Sequence, residues 1–499
     1  MASITRMSGF DAGFLYMETP SMHMHTLKIA VLDPSTDNTF DNLIERMTER
    51  LRLLPPMRRR VVQVPFRLNH PVLVTQRSID PERHFFRHDI GGDGTMRELE
   101  KLIGEICSTP LDRSVPLWEL HLCEGLPDGK VAIVGKIHHA LADGLAANAM
   151  LANVMDVAST DLRPGGARGE THDGVDDPSH SLLVRHALRD GARQILDFPK
   201  LITTTVRRIL AVVRYRRAME GSVPTPVKDA PRTSFNGPLT RRRSFATVTI
   251  PLAELKRARA AHATEIDGLT LNDVVLGVTS GALRRWLAAQ GEFPLRSLLA
   301  GVPVGLDAND IEPRLMGNNV SNLFTTLATD VDDPVERLRT ISITTRHAKA
   351  INQRLGTSLM DWSQFAPPAP FAAAVRAYSR VRGARFHPAA FNVIVSNVPG
   401  PRERVKIAGS QLSDVFSVGP LTEGIGLNVT VWSYMDHMNF SLLACPDLLP
   451  DVEVLAAYVP AALAELLGEP EPGAAAEPVA EDQQDTPEPG NHPGNQESA

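Results

Sequence analysis

The segment from Trp118 to Val157 limits what this 499-residue chain can fold into more than any other. It opens with an apolar run, Trp118 to Gly125, turns at Pro127-Asp128-Gly129, and resumes with Val131-Ala132-Ile133-Val134-Gly135. Two apolar runs divided by turn residues predict a β-hairpin. The second strand ends in Lys136-Ile137-His138-His139. Ala140-Leu141-Ala142-Asp143-Gly144 then leads into a helix-like stretch from Leu145 to Val157, with Gly144 expected to permit close backbone approach at its start. Hairpin followed by helix implies a layered α/β unit. It also puts an imidazole at a strand end and a carboxylate on the next turn.

Successive strand residues face opposite ways, so one histidine can address a cleft while its neighbour packs inward. The same alternation opposes joint binding of one metal ion, and no further ligand cluster lies nearby, so no metal is expected. An imidazole, with an ordinary pKa of about 6.5, is well matched to take a proton from a hydroxyl. Asp143 could orient the histidine or lock the loop by pairing with an arginine, and both roles stay open on the residues alone.

Other chemistries lack their patterns. The chain has no Gly-x-Ser-x-Gly elbow and no Gly-x-Gly-x-x-Gly after a strand. Gly125 to Val131 is one residue short of a phosphate loop and has Val131 where Ser or Thr belongs, so it reads as the hairpin turn.

The length predicts two domains. Residues 1–160 form one α/β unit, with helical spacing at Phe40–Leu54 and Met96–Ile106. Residues 161–242 hold a Gly-, Asp- and Pro-rich loop over 163–179 and then a basic helical connection. Its stretch 181–220 has nine Arg or Lys against three acidic residues. Those basic residues are either the solvated face of helices packed on the core or a surface resting on an anionic membrane or lipid droplet. Residues 243–468 form the second unit. Strands are expected at Phe245–Ile250, Asn392–Val398 and Gly426–Tyr434, and a helix at Leu271–Ala288. The remainder, 469–499, has eight acidic residues and no Lys or Arg, and is expected to be disordered. Without those eight, the net charge of −6 becomes +2. No apolar run reaches transmembrane length, the N-terminus lacks a signal-peptide core, and Cys107, Cys123 and Cys445 form no pattern. A cytoplasmic protein with no nucleic-acid partner is expected.

His138-His139-x-x-x-Asp143-Gly144 resembles the signature of the CoA-dependent acyltransferases, which include chloramphenicol acetyltransferase-like enzymes and condensation domains. The flanking blocks narrow the resemblance to the bacterial wax ester synthase/diacylglycerol acyltransferase family, and within it to actinobacterial triacylglycerol synthases. These blocks are Met7 to Leu15, Glu18-Thr19-Pro20, Met22-His23-Met24-His25, Pro110-Leu111-Asp112-Arg113, Pro116-Leu117-Trp118-Glu119, Asn272-Asp273, Met316-Gly317-Asn318-Asn319, Ser396 to Pro401 and Gly426-Leu427-Asn428. Together they cover about residues 5 to 467. Two places depart from the family pattern: Leu327-Ala328 stands where Leu-Pro is usual, and Asn439-Phe440-Ser441 replaces Phe-Gly.

The resemblance implies an α/β fold of two chloramphenicol acetyltransferase-like lobes with an interdomain active-site tunnel. It implies transfer of a long-chain acyl group from acyl-CoA, a substrate and not a cofactor, to diacylglycerol and to fatty alcohols. His139 would be the base, with His138, Asp143 and Gly144 completing the motif. Asp143 would hold the loop and Gly144 would meet a backbone requirement. Asn272, as oxyanion donor or positioning group, Asp273, Pro116, Leu117 and Trp118 would be substrate-binding positions. On their own residues, Pro116 to Trp118 read as packing at a strand start, Asn272 reads equally as a helix N-terminal residue, and Met22 to His25 as core or tunnel wall. The protein would sit peripherally at the inner membrane face or on lipid droplets. The alternatives are a non-catalytic coat of lipid stores, for which the intact motif has no use, and a carrier-protein thioester donor.

Overall fold

A computed structural model describes residues 4–35, 39–51, 54–156, 178–219, 223–306 and 314–470. The loop expected over 163–179 lies outside them except for 178 and 179, as does the acidic tail beyond 470. The hairpin forms as read: Trp118–Glu124 pairs antiparallel with Val131–His138, Trp118 opposite Ile137. At its turn Asp128 and Gly129 have φ of 59° and 71°, values that Asp and Gly tolerate best.

Val131–His138 is almost wholly buried because it lies inside a seven-stranded sheet. The order is Phe85–Asp89, Trp118–Glu124, Val131–His138, His25–Leu32, Ser410–Val418, Lys406–Ile407, Met155–Asp156. A second, six-stranded sheet runs Val320–Thr326, Leu299–Gly305, Val393–Val398, Leu427–Tyr434, His437–Ala444, Ser244–Pro251. Helices Leu271–Ala289 and Val452–Leu467 cover it, burying Val274, Val275, Leu283 and Trp286 in one core with Val429 and Phe440. A small three-stranded sheet, Thr5–Arg6, Val72–Thr75 and Arg59–Val62, accompanies them, and the whole is the two-lobed α/β fold that the resemblance implies.

Sheet membership crosses the boundary expected near residue 243. Ser410–Val418 pairs with His25–Leu32 in the first sheet, with Phe416 opposite Ile29, although both its neighbours in sequence that form long strands belong to the second. Asn439, one of the departures from the family pattern, fastens this crossing. Its Nδ2 donates to Asp414 Oδ1 at 2.6 Å and to Val415 O at 2.8 Å, and its Oδ1 accepts from Thr249 Oγ1 at 2.8 Å. The amide is fully buried with its groups satisfied, as a buried polar side chain must be.

The basic connection is one helix, His180–Ala218, continuous through Pro199, where separate helices were expected. A proline inside a helix removes one N–H donor. Residues 195–200 around it are exposed, so water can satisfy the carbonyl that loses its partner.

Candidate active site

His139 follows directly on the hairpin's second strand, and its backbone N–H donates to Met24 O at 2.7 Å. Its ring takes its orientation from a residue 179 positions away: Nδ1 lies 2.9 Å from Asn318 Oδ1. The Asn318 Nδ2 group donates to Asp11 Oδ1 and to His139 O, both at 2.7 Å. Those two atoms only accept, so the amide can be oriented one way and Oδ1 must face the imidazole. Nδ1 therefore carries the proton, and Nε2 keeps a free lone pair. Phe14 stacks on the ring with centroids 4.3 Å apart. Burial holds the imidazole below its usual pKa, although Asp143 and Asn318 pull the other way. A neutral imidazole with one free ring nitrogen is a general base.

The helix Gly9–Met17 supplies both supports. Ser8 caps it, its Oγ accepting from Asp11 N at 3.0 Å, while Asp11 and Phe14, three residues apart, lie on one face. Asp11 Oδ1 also accepts the Asn318 N–H at 2.9 Å. Gly9 brings the helix against the backbone at Ser363 and Gln364, where a β-carbon would collide.

His138 faces the other way. Its Nδ1 accepts from Ala140 N at 3.0 Å, and Nε2 stands 3.6 Å from Glu18, which Arg113 holds at 2.7 Å. Burial lowers the His138 pKa. Asp143 is 1% exposed and receives three donors: Arg314 Nη2 at 2.6 Å, Asn319 N at 2.8 Å and Ala146 N at 2.8 Å. The last caps the helix Gly144–Val154. Gly317, at φ 83°, closes the joint, its N–H donating to Leu141 O at 2.6 Å.

Gly144 does not meet the backbone requirement expected of it. Its φ is not in the left-handed region, and a β-carbon there would meet only Val398 Cγ2 at 3.8 Å, an ordinary contact. What Gly144 does is leave room: it lines two cavities. One, of about 200 Å³, is lined by His139, Phe14, Thr26, Lys28 and Ser417. The other, of about 420 Å³, is lined by Asn272, Thr270, Arg346 and Lys349. They share Gly144, Pro303, Val320, Ser396 and Val398.

The remaining expected positions divide. Asn272 lines the larger cavity, 3.4 Å from Asn397 Nδ2. Asp273 borders the same cavity, but its carboxylate turns back to cap its own helix, accepting from Thr270 N and Oγ1 at 2.9 and 2.8 Å. Pro116, Leu117 and Trp118 line neither cavity. All three are buried, and Trp118 Nε1 donates to Met57 O at 2.7 Å while the ring stacks on His84. Met22 to His25 are likewise buried away from both cavities, with the His23 and His25 rings stacked.

The chain matches the wax ester synthase/diacylglycerol acyltransferase catalytic domain over residues 7–275 and the C-terminal domain of the same family over 316–467. It belongs to that family. It is a WS/DGAT acyltransferase, and its relatives extend over nearly the whole chain. A Mycobacterium tuberculosis protein bearing a diacylglycerol O-acyltransferase name is 37% identical over 452 residues, 89% of this chain and 92% of its own. Another from that organism is 34% identical over 471 residues, 93% and 91% of the two chains. Among solved structures, a wax ester synthase/diacylglycerol acyltransferase from Marinobacter aquaeolei is similar with a TM-score of 0.64 and 25% identity, over 93% of this chain and 98% of that one. The first condensation domain of the CDA synthetase shares the fold, with a TM-score of 0.53 and 15% identity over 93% and 96% of the chains.

Within this WS/DGAT site, Asn318, Asp11, Phe14 and Arg314 have roles that the residue-level reading did not assign. Asp11, Phe14 and Asn318 sit in blocks singled out for resemblance, so their positions were marked and their contacts were not. Nothing local marks Arg314.

Proposed function

We propose that the protein transfers a long-chain acyl group from acyl-CoA to the hydroxyl of diacylglycerol, and to long-chain fatty alcohols, with His139 as general base. The observation that carries this reading is the free Nε2 of an imidazole whose Nδ1 is committed to Asn318 and whose ring lines a cavity. Nε2 takes the acceptor's proton as its oxygen attacks the thioester carbonyl carbon. The tetrahedral intermediate then expels the CoA thiolate, which recovers the proton from the imidazolium. An ester and free CoA result, with no covalent enzyme intermediate.

Arg346 and Lys349 on the larger cavity favour it for the phosphate-bearing donor, and Asn272 there is the group we assign to positioning the thioester or its oxyanion. The smaller cavity is left for the acceptor. Asp143 acts through the loop and not on substrate, since its oxygens are already taken. We assign the helix His180–Ala218 to contact with an anionic membrane or lipid-store surface. Support comes from Leu188, Ile195, Ile202, Val206, Ile209 and Val213, exposed along one side of it.

The test is a purified-protein assay with palmitoyl-CoA, offering diacylglycerol and hexadecanol side by side. His139→Ala should fold and lose at least about 100-fold in transfer, the lower range for a general base. A variant that keeps most of its activity would overturn the mechanism. Transfer only from a carrier-protein thioester, or none at all, would favour the alternatives.

A further inference from the structure

The smaller cavity contains a buried amine that the reaction above does not use. Lys28 lies on His25–Leu32, flanked in register by Gly135 and Ser417. Thr26 and Lys28, two residues apart, share the face of the strand that lines the cavity with His139. Lys28 is 9% exposed. Its Nζ donates to Ser417 Oγ at 2.6 Å and stands 4.0 Å from the centre of the Trp432 ring. No carboxylate pairs with it among the described residues. Asp143 exerts a field on it, but its oxygens are committed to Arg314, Asn319 and Ala146.

A lysine buried without a carboxylate is a poor choice for stability, because a methionine fills similar space with no ion to desolvate. Burial pulls the amine down to about 7, so near neutral pH it is divided between charged and neutral forms. Either form has N–H donors beyond the one given to Ser417. Two of the neighbouring polar groups are already engaged with each other and the backbone: Thr430 Oγ1 donates to Asn428 Oδ1 at 3.0 Å, and Asn428 Nδ2 to Pro420 O at 3.0 Å. Lys28 thus holds spare donors in a cavity that Phe14, Ile394 and Val398 wall together with polar side chains such as Thr26, Asn322 and Ser396. One half-charged amine in a cavity that the Asp143 carboxylate also lines suits an uncharged carbonyl oxygen better than a phosphate or carboxylate, which would bring a second full negative charge and have to shed its hydration. A volume of about 200 Å³ has room for an acceptor's head group and not for its chains.

We propose that Lys28 is the acceptor-recognition residue of this site, its remaining donors taking an ester carbonyl oxygen of diacylglycerol while His139 holds the hydroxyl. A plain long-chain alcohol has no such oxygen, so Lys28 sets selectivity for glycerolipid over alcohol. The proposal rests on the acyl-transfer reading above.

The experiment compares kcat/KM for 1,2-dioctanoylglycerol and for hexadecanol, with palmitoyl-CoA as donor, in the wild type, Lys28→Met and Lys28→Gln. Lys28→Met should lower the ratio of the two values at least tenfold, through the KM for dioctanoylglycerol. Lys28→Gln, which retains an N–H donor, should recover most of that ratio, and it carries the test if Lys28→Met does not fold. A ratio within threefold of wild type in both variants overturns the proposal. So does an equal loss with both acceptors, which would put Lys28 on the thioester or in a purely structural role. If the wild type acylates neither acceptor, the acyl-transfer reading fails separately. Thermal shift then decides on Lys28: stabilisation by dioctanoylglycerol, absent in Lys28→Met, supports it, and equal stabilisation of the two proteins overturns it.

Discussion

His139 depends on Asn318 for its tautomer, and Asn318 depends on Asp11 for its orientation. Asn318 touches the base and lines neither cavity, so it is a positioning residue. Asn318→Ala should lower kcat by about tenfold to a hundredfold with little change in KM, since a loosely held base loses alignment. The pH profile separates this from a structural role. The base must be neutral, so activity falls as pH drops through its pKa. Burial already sets that pKa below the ordinary histidine value, so the acid limb of wild-type kcat/KM should lie below about pH 6.5. The hydrogen bond to Asn318 raises the pKa, because it favours the charged ring. Removing it should move the limb lower still while the plateau drops. A limb that stays in place, with kcat unchanged, would deny Asn318 this part.

The hairpin, the histidine pair and the following helix were legible in the sequence because their causes are local: apolar runs, turn residues and strand alternation. Even the opposed directions of His138 and His139 follow from pleat geometry. The substrate-binding places offered for Leu117 and Trp118 show the limit, since whether a tryptophan fills a core or a pocket depends on partners such as Met57 and His84. The long helix is the converse. Its composition left a packed and a membrane-facing reading open, and its exposed faces are what support the membrane contact proposed above. Along His180–Ala218, Leu188, Ile195, Ile202, Val206, Ile209 and Val213 recur at helical spacing, Leu188 at 63% and Ile195 at 74% exposure. Beside that stripe, Arg185, Arg189, Arg193, Lys200, Arg207 and Arg214 form an exposed basic row with no carboxylate partner among the described residues. Asp190 is turned to Arg6 and Arg208 to Asp361, both off this surface. Two copies packed stripe to stripe would bring basic rows together, whereas anionic lipid complements them at about 1 kcal/mol per residue. The protein should float with phosphatidylglycerol-containing liposomes at low salt and less so at high salt. Changing the six basic residues to glutamine should release it. Undiminished flotation, or a salt-insensitive dimer in sedimentation, would remove the assignment.

At the scale of the whole molecule, distant segments meet at two joints. Glu18, Arg113 and His138 assemble under the strand, and Asp11, Asp143, Arg314 and Asn318 around its end. These pairings, like the crossing of Ser410–Val418 into the first sheet, depend on contacts between residues from 95 to more than 300 positions apart, which no local pattern encodes. The same compactness buries histidines in quantity. Burial lowers the pKa of His25, His70, His84, His88, His138 and His139, and takes His23 to about 4. In the unfolded chain each titrates near its ordinary value of about 6.5. Below that pH the unfolded state therefore binds more protons than the folded one, and stability falls as pH falls, by up to about 1.4 kcal/mol per pH unit for each histidine fully in play. Glu423 opposes this, since burial raises it to about 7 and the folded protein takes up its proton first. Burial raises Asp11, Glu100 and Asp414 in the same sense, and these four carboxyls are outnumbered by seven imidazoles. The midpoint of thermal unfolding should therefore drop between pH 7 and pH 5, where ordinary surface carboxylates are still ionised. Scanning calorimetry at the two pH values checks it, and a midpoint that holds or rises on acidification would show that the buried histidines do not govern the stability of the fold.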